Sequence, residues 1–145
     1  MDGLQAAVLS AKLKFLPAWT KTRRSLASRY REELAGIVRG FQACPSTMEH
    51  VYHLFTVEVS ARDDVQRGMA ERGIGTAVQY AVPLPLLEAY TRLNHRAEDF
   101  PIASALTRRI LSLPLYPELT AGQQREVVTA VSAEVARANR HLANA

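Results

Sequence analysis

The sequence predicts an α+β domain in which a small sheet is covered by helices and preceded by a long helical arm. Apolar residues recur at helical spacing through the first third of the chain, and the pattern changes to period two over Val51–Val59. A capping box formed by Thr120 and Gln123 then opens a final helix. Because no internal repeat is visible, we expect these elements to form one α+β unit.

The composition is typical of a globular protein with one domain. The chain has 145 residues, 48% of them hydrophobic and 22% charged, which excludes disordered and fibrous chains. Eighteen Lys and Arg against fourteen Asp and Glu leave a net charge of +4, too weak to require a nucleic-acid partner. No apolar run approaches the roughly 18 residues of a membrane span, so no membrane partner is expected.

The first third predicts helix. Asp2 and Gln5 fit a capping box, and Pro17 interrupts the run, so we expect either a kink or two helices over about 2–16 and 18–35. Spacings of three, four and seven place the following apolar residues on one face: Leu4, Val8, Ala11, Phe15, Trp19, Leu26, Tyr30 and Leu34.

The middle of the chain predicts a strand, a helix and a second strand. Val51–Val59 alternates as a half-buried strand does, and Asp63–Arg72 fits a short helix. Gly73 supplies a left-handed residue after that helix, and Ile74 supplies the apolar contact of a Schellman end. A second strand is expected over Thr76–Tyr80, and both a parallel βαβ unit and an antiparallel sheet remain open.

Prolines divide the remainder of the chain. Pro83 and Pro85 predict no regular structure from Ala81 to Pro85, with one helical turn after them over Leu86–Tyr90. Pro101 suits the first position of a helix. That helix is expected to bury Ile102, Leu106 and Ile110, an extended segment Leu111–Leu115 follows, and the final helix is expected to bury Val127, Val128, Val131 and Val135.

Catalytic and metal sites are not indicated by the residues alone. Ser112 lacks the G-x-S-x-G elbow of a nucleophilic serine, and the single Cys44 has no evident activating base. His50 and His53 point to opposite faces if they lie on a strand, so a zinc site is not expected. Gly73-Ile74-Gly75 lacks the third glycine of a dinucleotide fingerprint, and the predicted helix precedes it instead of following it.

Location and surface charge complete the expectations drawn from composition. One cysteine excludes an intrachain disulfide, and the start of the chain shows no secretory signal, so we expect a cytoplasmic protein. The basic face of the first helix is expected to be solvated or to pair with Glu32 and Glu33, while phosphate contact is the alternative. Its arginines are Arg23, Arg24, Arg29 and Arg31.

Several stretches resemble the DegT/StrS sugar aminotransferases, over about residues 1–135. Met1-Asp2-Gly3-Leu4-Gln5-Ala6-Ala7 resembles the start of the helix that leads into the family's small domain, and His50-Val51-Tyr52-His53-Leu54-Phe55 resembles its first strand. The family's substrate-side segment is similar to Glu71-Arg72-Gly73-Ile74-Gly75-Thr76 followed by Tyr80 and Pro83. Its C-terminal signature is similar to two stretches, Asp99-Phe100-Pro101 and Leu111-Ser112-Leu113-Pro114-Leu115-Tyr116-Pro117-Glu118-Leu119-Thr120.

The resemblance implies the small C-terminal domain of a fold-type I pyridoxal-phosphate transferase, with a short, mostly antiparallel sheet. It implies a helical arm over 1–40 and a small α+β domain over 41–145. For the full-length family it implies pyridoxal 5′-phosphate as cofactor, amino transfer from an amino acid such as glutamate to a keto-sugar nucleotide, and a homodimer. Met1 would then correspond to an internal methionine of a longer ancestor.

The same resemblance implies that this chain alone is not catalytically competent. The cofactor needs a lysine, and Lys12, Lys14 and Lys21 all lie on the first helix, outside anything like the family's lysine motif. We therefore expect no catalytic, cofactor-binding or metal residue, and no cofactor bound by this chain alone. A large domain supplied in trans would complete the site. The alternative is a non-catalytic module that pairs through its arm, with Phe15, Trp19 and Tyr30 partly exposed.

Gln79 and Tyr80 are the residues expected to face a sugar. Many family members carry histidine at the positions of Gln79 and Pro85, and proline at the position of Ala81. Gln79 can still hydrogen-bond a hydroxyl, but it does not titrate near neutrality as histidine does.

Overall fold

A computed structural model describes residues 2–45 and 47–143 of the chain, so Met1 of the first resembling segment lies outside the described residues. The elements follow in the order α1 (Gly3–Leu13), α2 (Leu16–Glu33), β1 (Gly40–Phe41), β2 (Phe55–Glu58), α3 (Arg62–Glu71), α4 (Pro101–Leu106), β3 (Ile110–Leu113) and α5 (Ala121–Ala143). Short 3-10 turns occupy Leu84–Leu86, Glu88–Leu93 and Ala97–Asp99. None of the helices in the described part has the length and apolarity needed to cross a membrane.

The sheet has three strands, in the order β1-β2-β3, and both pairings are antiparallel. Phe55 pairs with Leu113, and Glu58 pairs with Ile110. The antiparallel alternative is thus confirmed. The predicted strand Val51–Val59 shrinks to β2, and the predicted strand Thr76–Tyr80 is wrong, since only Ala77 forms a bridge, to Ser112. A segment that meets β3 at one residue cannot form a ladder, whatever its β-propensity.

The core lies between the sheet and helices α2, α3 and α5. Phe55 and Val57 project from β2 into it, Tyr30 enters from α2, and Met69 enters from α3. In α5, the predicted apolar stripe is buried at Val127, Val131 and Val135 and half-buried at Val128. The burial of one face of α2, α3 and α5 against the antiparallel sheet confirms the α+β class.

Local signals for helix ends were confirmed. Thr120 N–H donates to Gln123 Oε1 at 2.9 Å, and Gln123 N–H donates to Thr120 Oγ1 at 3.2 Å, the reciprocal pair of a capping box. Pro101 is the first residue of α4. At the start of α1, Leu4 N–H donates to Asp2 Oδ1 at 2.9 Å, so Asp2 caps the helix as expected, through a bond that does not involve Gln5 of the predicted box.

Two helices, separated at Lys14 and Phe15, replace the single kinked helix that was the other possibility. Pro17 lies in the first turn of α2, where its missing N–H leaves no hydrogen bond unmade. The predicted apolar face divides between them: α1 buries no residue, whereas α2 buries Leu26, Ala27 and Tyr30. Leu4 is 76% exposed.

Three expectations about burial and regularity were wrong. Tyr30, expected to be partly exposed, has no exposed surface, because α2 packs on β2 and α5. Ile102 is 75% exposed, and Ile110 belongs to β3, because α4 ends at Leu106 and is too short to carry the predicted stripe. Pro85 lies inside a 3-10 turn, where the fixed φ of proline is tolerated.

Gly73 forms the turn that ends α3, and its substitution tests the need for a left-handed residue there. Its φ is +74°, and Ile74 N–H donates to Met69 O at 3.0 Å, closing α3 as predicted. Gly73→Ala should lower the free energy of unfolding by about 1–2 kcal/mol, the cost of a left-handed residue with a Cβ. Urea denaturation measures it. Gly75→Ala is the matched control, because Gly75 has open space and no positive φ, and an equal loss there would contradict this account.

Candidate substrate groove

Gln79 and Tyr80 lie on the loop that follows the Ala77–Ser112 bridge, and both are exposed. Tyr80 is 78% exposed, so it is not a core aromatic. The bridge fixes this loop to the sheet, since Ser112 N–H donates to Ala77 O at 2.7 Å and Ala77 N–H donates to Ser112 O at 3.1 Å. The structure therefore holds the base of the loop and leaves the two side chains accessible.

Gln79 borders an open groove of about 270 Å³. The polar residues of its lining include two with hydroxyl side chains, Thr76 and Ser112, and one with an amide side chain, Gln79. Ser112 Oγ lies 3.1 Å from Thr56 Oγ1 on β2, which orients the Ser112 hydroxyl. We call this depression the Gln79 groove; it is lined by His53, Leu54, Gly75, Thr76, Ala77, Gln79, Ser112, Leu113, Pro114 and Leu115.

Tyr80 belongs to a different depression. Its neighbours there are Ala81, Val82, Leu84 and Leu87, which line an almost wholly apolar space of about 430 Å³. The structure thus does not bring Gln79 and Tyr80 into one pocket. Consecutive residues therefore border two depressions, one lined by polar and apolar residues together and one almost wholly apolar.

The arginines of α2 were expected to be solvated or to pair with Glu32 and Glu33, but several of them bond to backbone carbonyls instead. Arg23 Nη1 donates to the carbonyl oxygens of Tyr52, His53 and Leu115 at 3.1, 3.2 and 2.8 Å. Arg24 Nε donates to His50 O at 3.0 Å. The loop before β2 offers carbonyls that are not paired in the sheet, and the arginines supply donors to them. Sequence reasoning missed these contacts because the acceptors are backbone atoms.

Arg31 and Arg24 extend the same pattern. Arg31 Nη1 donates to Gln42 O at 3.3 Å, and its guanidinium lies 5.0 Å from the centre of the Phe41 ring. Arg24 also pairs with the exposed Glu49, at 2.8 Å. Arg29 is exposed, as expected. Three of the four arginines are therefore used to hold loops.

The histidines and the cysteine do not converge. His50 Nδ1 accepts from Tyr52 N–H at 2.8 Å, and the His50 ring packs on Tyr52 with centroids 4.5 Å apart. Cys44 Sγ lies 3.5 Å from Met48 O. Among the described residues, no three His, Cys, Asp or Glu side chains are grouped so that they could hold a metal ion.

The lysines do not fit a covalent pyridoxal-phosphate site. Lys12 on α1, Lys14 between the first two helices and Lys21 on α2 are all exposed. Lys12 Nζ lies 5.7 Å from the Trp19 ring centre, and Lys14 Nζ lies 5.1 Å from the Phe15 ring centre. Lys12 and Lys14 therefore lie beside aromatic rings, and none of the three lysines lines the Gln79 groove, so no step through the cofactor is derived from them.

Comparison with known proteins gives a consistent result. The sequence profile described as the DegT/DnrJ/EryC1/StrS aminotransferase family matches residues 1–132. A dTDP-3-amino-3,4,6-trideoxy-alpha-D-glucose transaminase of Streptomyces venezuelae is 36% identical over 132 residues, covering 90% of this chain and 35% of the relative. A pleiotropic regulatory protein of Geobacillus stearothermophilus is 35% identical, covering 99% of this chain and 38% of the relative.

Solved structures agree with the sequence matches. The crystal structure of DesV from S. venezuelae superposes with a TM-score of 0.87 at 36% identity, covering 92% of this chain and 36% of that one. An aminotransferase from Brucella abortus gives a TM-score of 0.86 at 29% identity, covering 93% and 36%. The chain thus spans little more than a third of the length of these relatives. It belongs to the DegT/DnrJ/EryC1/StrS aminotransferase family.

Proposed function

We propose that this chain forms the small-domain part of a sugar aminotransferase and supplies the sugar-facing side of its site. The observation that carries the proposal is the Gln79 groove, which lies within the family match and whose lining includes residues with amide and hydroxyl side chains and no lysine. On this proposal the fold is that of the C-terminal domain of a fold-type I transferase, with the arm over 1–40 and the small domain over 41–145.

The reaction proposed for the complete protein is amino transfer from an amino acid such as glutamate to a keto-sugar nucleotide, with pyridoxal 5′-phosphate as cofactor. The amine that holds the cofactor would come from a portion outside this chain. Gln79 would donate to or accept from a sugar hydroxyl, and Tyr80 would pack an apolar face of the ligand. A homodimer in the cytoplasm is part of the same proposal.

A covalent-trapping experiment tests whether the amine that holds the cofactor lies outside this chain. The purified chain is incubated with pyridoxal phosphate, treated with borohydride and mapped by peptide mass spectrometry. We expect no preferred pyridoxyl-lysine, because the three lysines are exposed and none lines the Gln79 groove. The S. venezuelae transaminase serves as the positive control. A stoichiometric adduct at one of Lys12, Lys14 or Lys21 would show that this chain holds the cofactor itself.

A second function is favoured by α1, which could make the chain a non-catalytic pairing module. Leu9 and Leu13 are 55% and 65% exposed, and together with Trp19 they line a depression of about 520 Å³. An isolated helix of 11 residues is marginal in water, so an apolar helix that buries nothing gains stability from a partner.

Sedimentation velocity at several concentrations tests this module. If α1 pairs two copies, the weight-average mass should rise with concentration, and Leu9→Glu should abolish the rise by placing a charge in the apolar contact. Leu142→Glu is the matched control, because Leu142 is 58% exposed at the far end of α5. A chain that remains monomeric at every concentration would count against the pairing module.

A further inference from the structure

We propose that Arg23 is a positioning residue that fixes the shape of the Gln79 groove. The inference rests on the proposed function only in taking that groove as the sugar-facing surface. Arg23 touches neither Gln79 nor the groove's hydroxyl groups in the contacts described above; it acts through the backbone of the two segments that form the groove's walls.

The first argument is the identity of the three acceptors. Tyr52 and His53 belong to the segment that enters β2, and Leu115 belongs to the segment that leaves β3. His53 and Leu115 both line the groove. A single Nη1 atom within 3.2 Å of all three carbonyl oxygens therefore joins one wall to the other at a set separation.

The second argument is the backbone conformation of Tyr52. Its φ is +50°, a left-handed value that is unfavourable for a residue with a bulky side chain. Such a conformation persists only where its surroundings hold it. The holding contacts are the bond from Tyr52 N–H to His50 Nδ1, the packing of the Tyr52 ring on His50 and Phe55, and the bond that its carbonyl accepts from Arg23.

The third argument is the chemistry of the side chain. Arginine presents several N–H donors in a rigid plane, whereas lysine presents one ammonium group on a flexible stem. All three bonds come from the single Nη1 atom, which the rigid guanidinium plane holds in place. Lysine at position 23 would keep the charge and the donor hydrogens, but its flexible stem would hold the nitrogen less rigidly among the carbonyls. It should therefore restore the groove in part, which a requirement for positive charge alone does not predict.

The experiment compares Arg23→Met and Arg23→Lys with Arg29→Met, which removes an exposed arginine from the same helix. Amide hydrogen exchange by NMR measures local opening at Ala77 and Ser112, which bond to each other and both line the groove, and measures opening of the core at Val131 in α5. We expect Arg23→Met to speed exchange at Ala77 and Ser112 by about tenfold or more while Val131 stays slow, since groove opening would be local.

A kinetic readout ties the effect to ligand binding. In a fusion that joins this chain to the S. venezuelae transaminase in place of that protein's matched segment, Arg23→Met should raise KM for the amino-sugar nucleotide by about tenfold and leave kcat nearly unchanged. Arg23→Lys should fall between Arg23→Met and the unaltered chain, and Arg29→Met should match the unaltered chain in both readouts.

The outcomes separate the two proposals. Equal acceleration of exchange at Ala77, Ser112 and Val131 would make Arg23 a general stabiliser and overturn the inference, as would unchanged exchange or an unchanged KM in an active fusion. Selective loosening at Ala77 and Ser112 with an inactive fusion would sustain the role of Arg23 in shaping the groove and remove the proposed function.

Discussion

Tyr30→Ala is expected to lower the free energy of unfolding by about 3–5 kcal/mol, the range for removing a fully buried aromatic side chain. Tyr30 has no exposed surface, and its ring stacks on Phe55 with centroids 5.1 Å apart. Its hydroxyl donates to Pro114 O at 3.0 Å, next to the Gln79 groove. The truncation therefore leaves a cavity under the sheet and a carbonyl without its donor.

Tyr30→Phe separates these two contributions. It keeps the ring and removes the hydroxyl, so urea denaturation should show a loss of about 1 kcal/mol. A loss for Tyr30→Ala no larger than that for Tyr30→Phe would contradict the packing argument.

The hydroxyl of Tyr30 also gives a pH dependence. Burial is the main cause that raises the pKa of Tyr30 above its ordinary value of 10.0, with the charges of Tyr116 and Glu33 adding to it. In the unfolded chain the phenol ionises at its ordinary pKa, so the stability that Tyr30 contributes is complete below about pH 10 and falls as the pH rises further. The unaltered chain should lose stability above that pH more steeply than Tyr30→Phe, as followed by denaturation at a series of alkaline pH values.

Gly68→Ala is expected to destabilise the protein by about 1–3 kcal/mol, the cost of overpacking a buried contact. In most helices this substitution is favourable, because alanine has the higher helix propensity. Here a Cβ at position 68 of α3 would press against the carboxylate of Glu134 on α5. That carboxylate is buried, and it pairs with Arg72 at 2.9 Å and with Arg137 at 2.6 Å. Any shift that relieves the contact weakens the ion pairs.

Two variants check the cause. Gly122→Ala in α5 is the matched control, since the nearest atom to its added Cβ is 3.9 Å away, and it should be neutral or mildly stabilising. Adding Gly68→Ala to Glu134→Ala should cost less than Gly68→Ala costs alone, because the crowding carboxylate is gone. Calorimetry or urea denaturation measures the cycle, and strict additivity would refute the steric explanation.

Signals within a few residues were predictable from the sequence, whereas those that depend on distant partners were not. The capping box of Thr120 and Gln123 and the turn at Gly73 were confirmed because both consist of bonds between near neighbours. The exposure of Ile102 was predicted wrongly, because amphipathic spacing marks an apolar face without showing what covers it. The burial of Tyr30 was missed because the alternative of a pairing arm left its face uncovered, whereas the face packs on the sheet. In α1, the predicted apolar face contains no buried residue.

In the candidate site too, features of single residues were predictable and contacts with distant partners were not. A side chain such as Gln79 could be proposed from its type and its resemblance to a family segment, and the structure places it on an accessible loop. Arg23 could not be identified as important, since its partners are three carbonyl oxygens from positions 29, 30 and 92 residues away. Every residue has a backbone carbonyl, so the residue types do not show which carbonyls accept a hydrogen bond from Arg23. Such contacts are identified from the folded structure.

The most direct test of the central claim is amino transfer by the fusion of this chain with the remainder of the S. venezuelae transaminase. With the relative's named amino-sugar nucleotide and 2-oxoglutarate, the fusion is predicted to form glutamate, while this chain alone forms none. A folded fusion that retains its cofactor yet forms no glutamate, or steady glutamate formation by the chain alone, would contradict the claim that this chain supplies the sugar-facing part of a shared site.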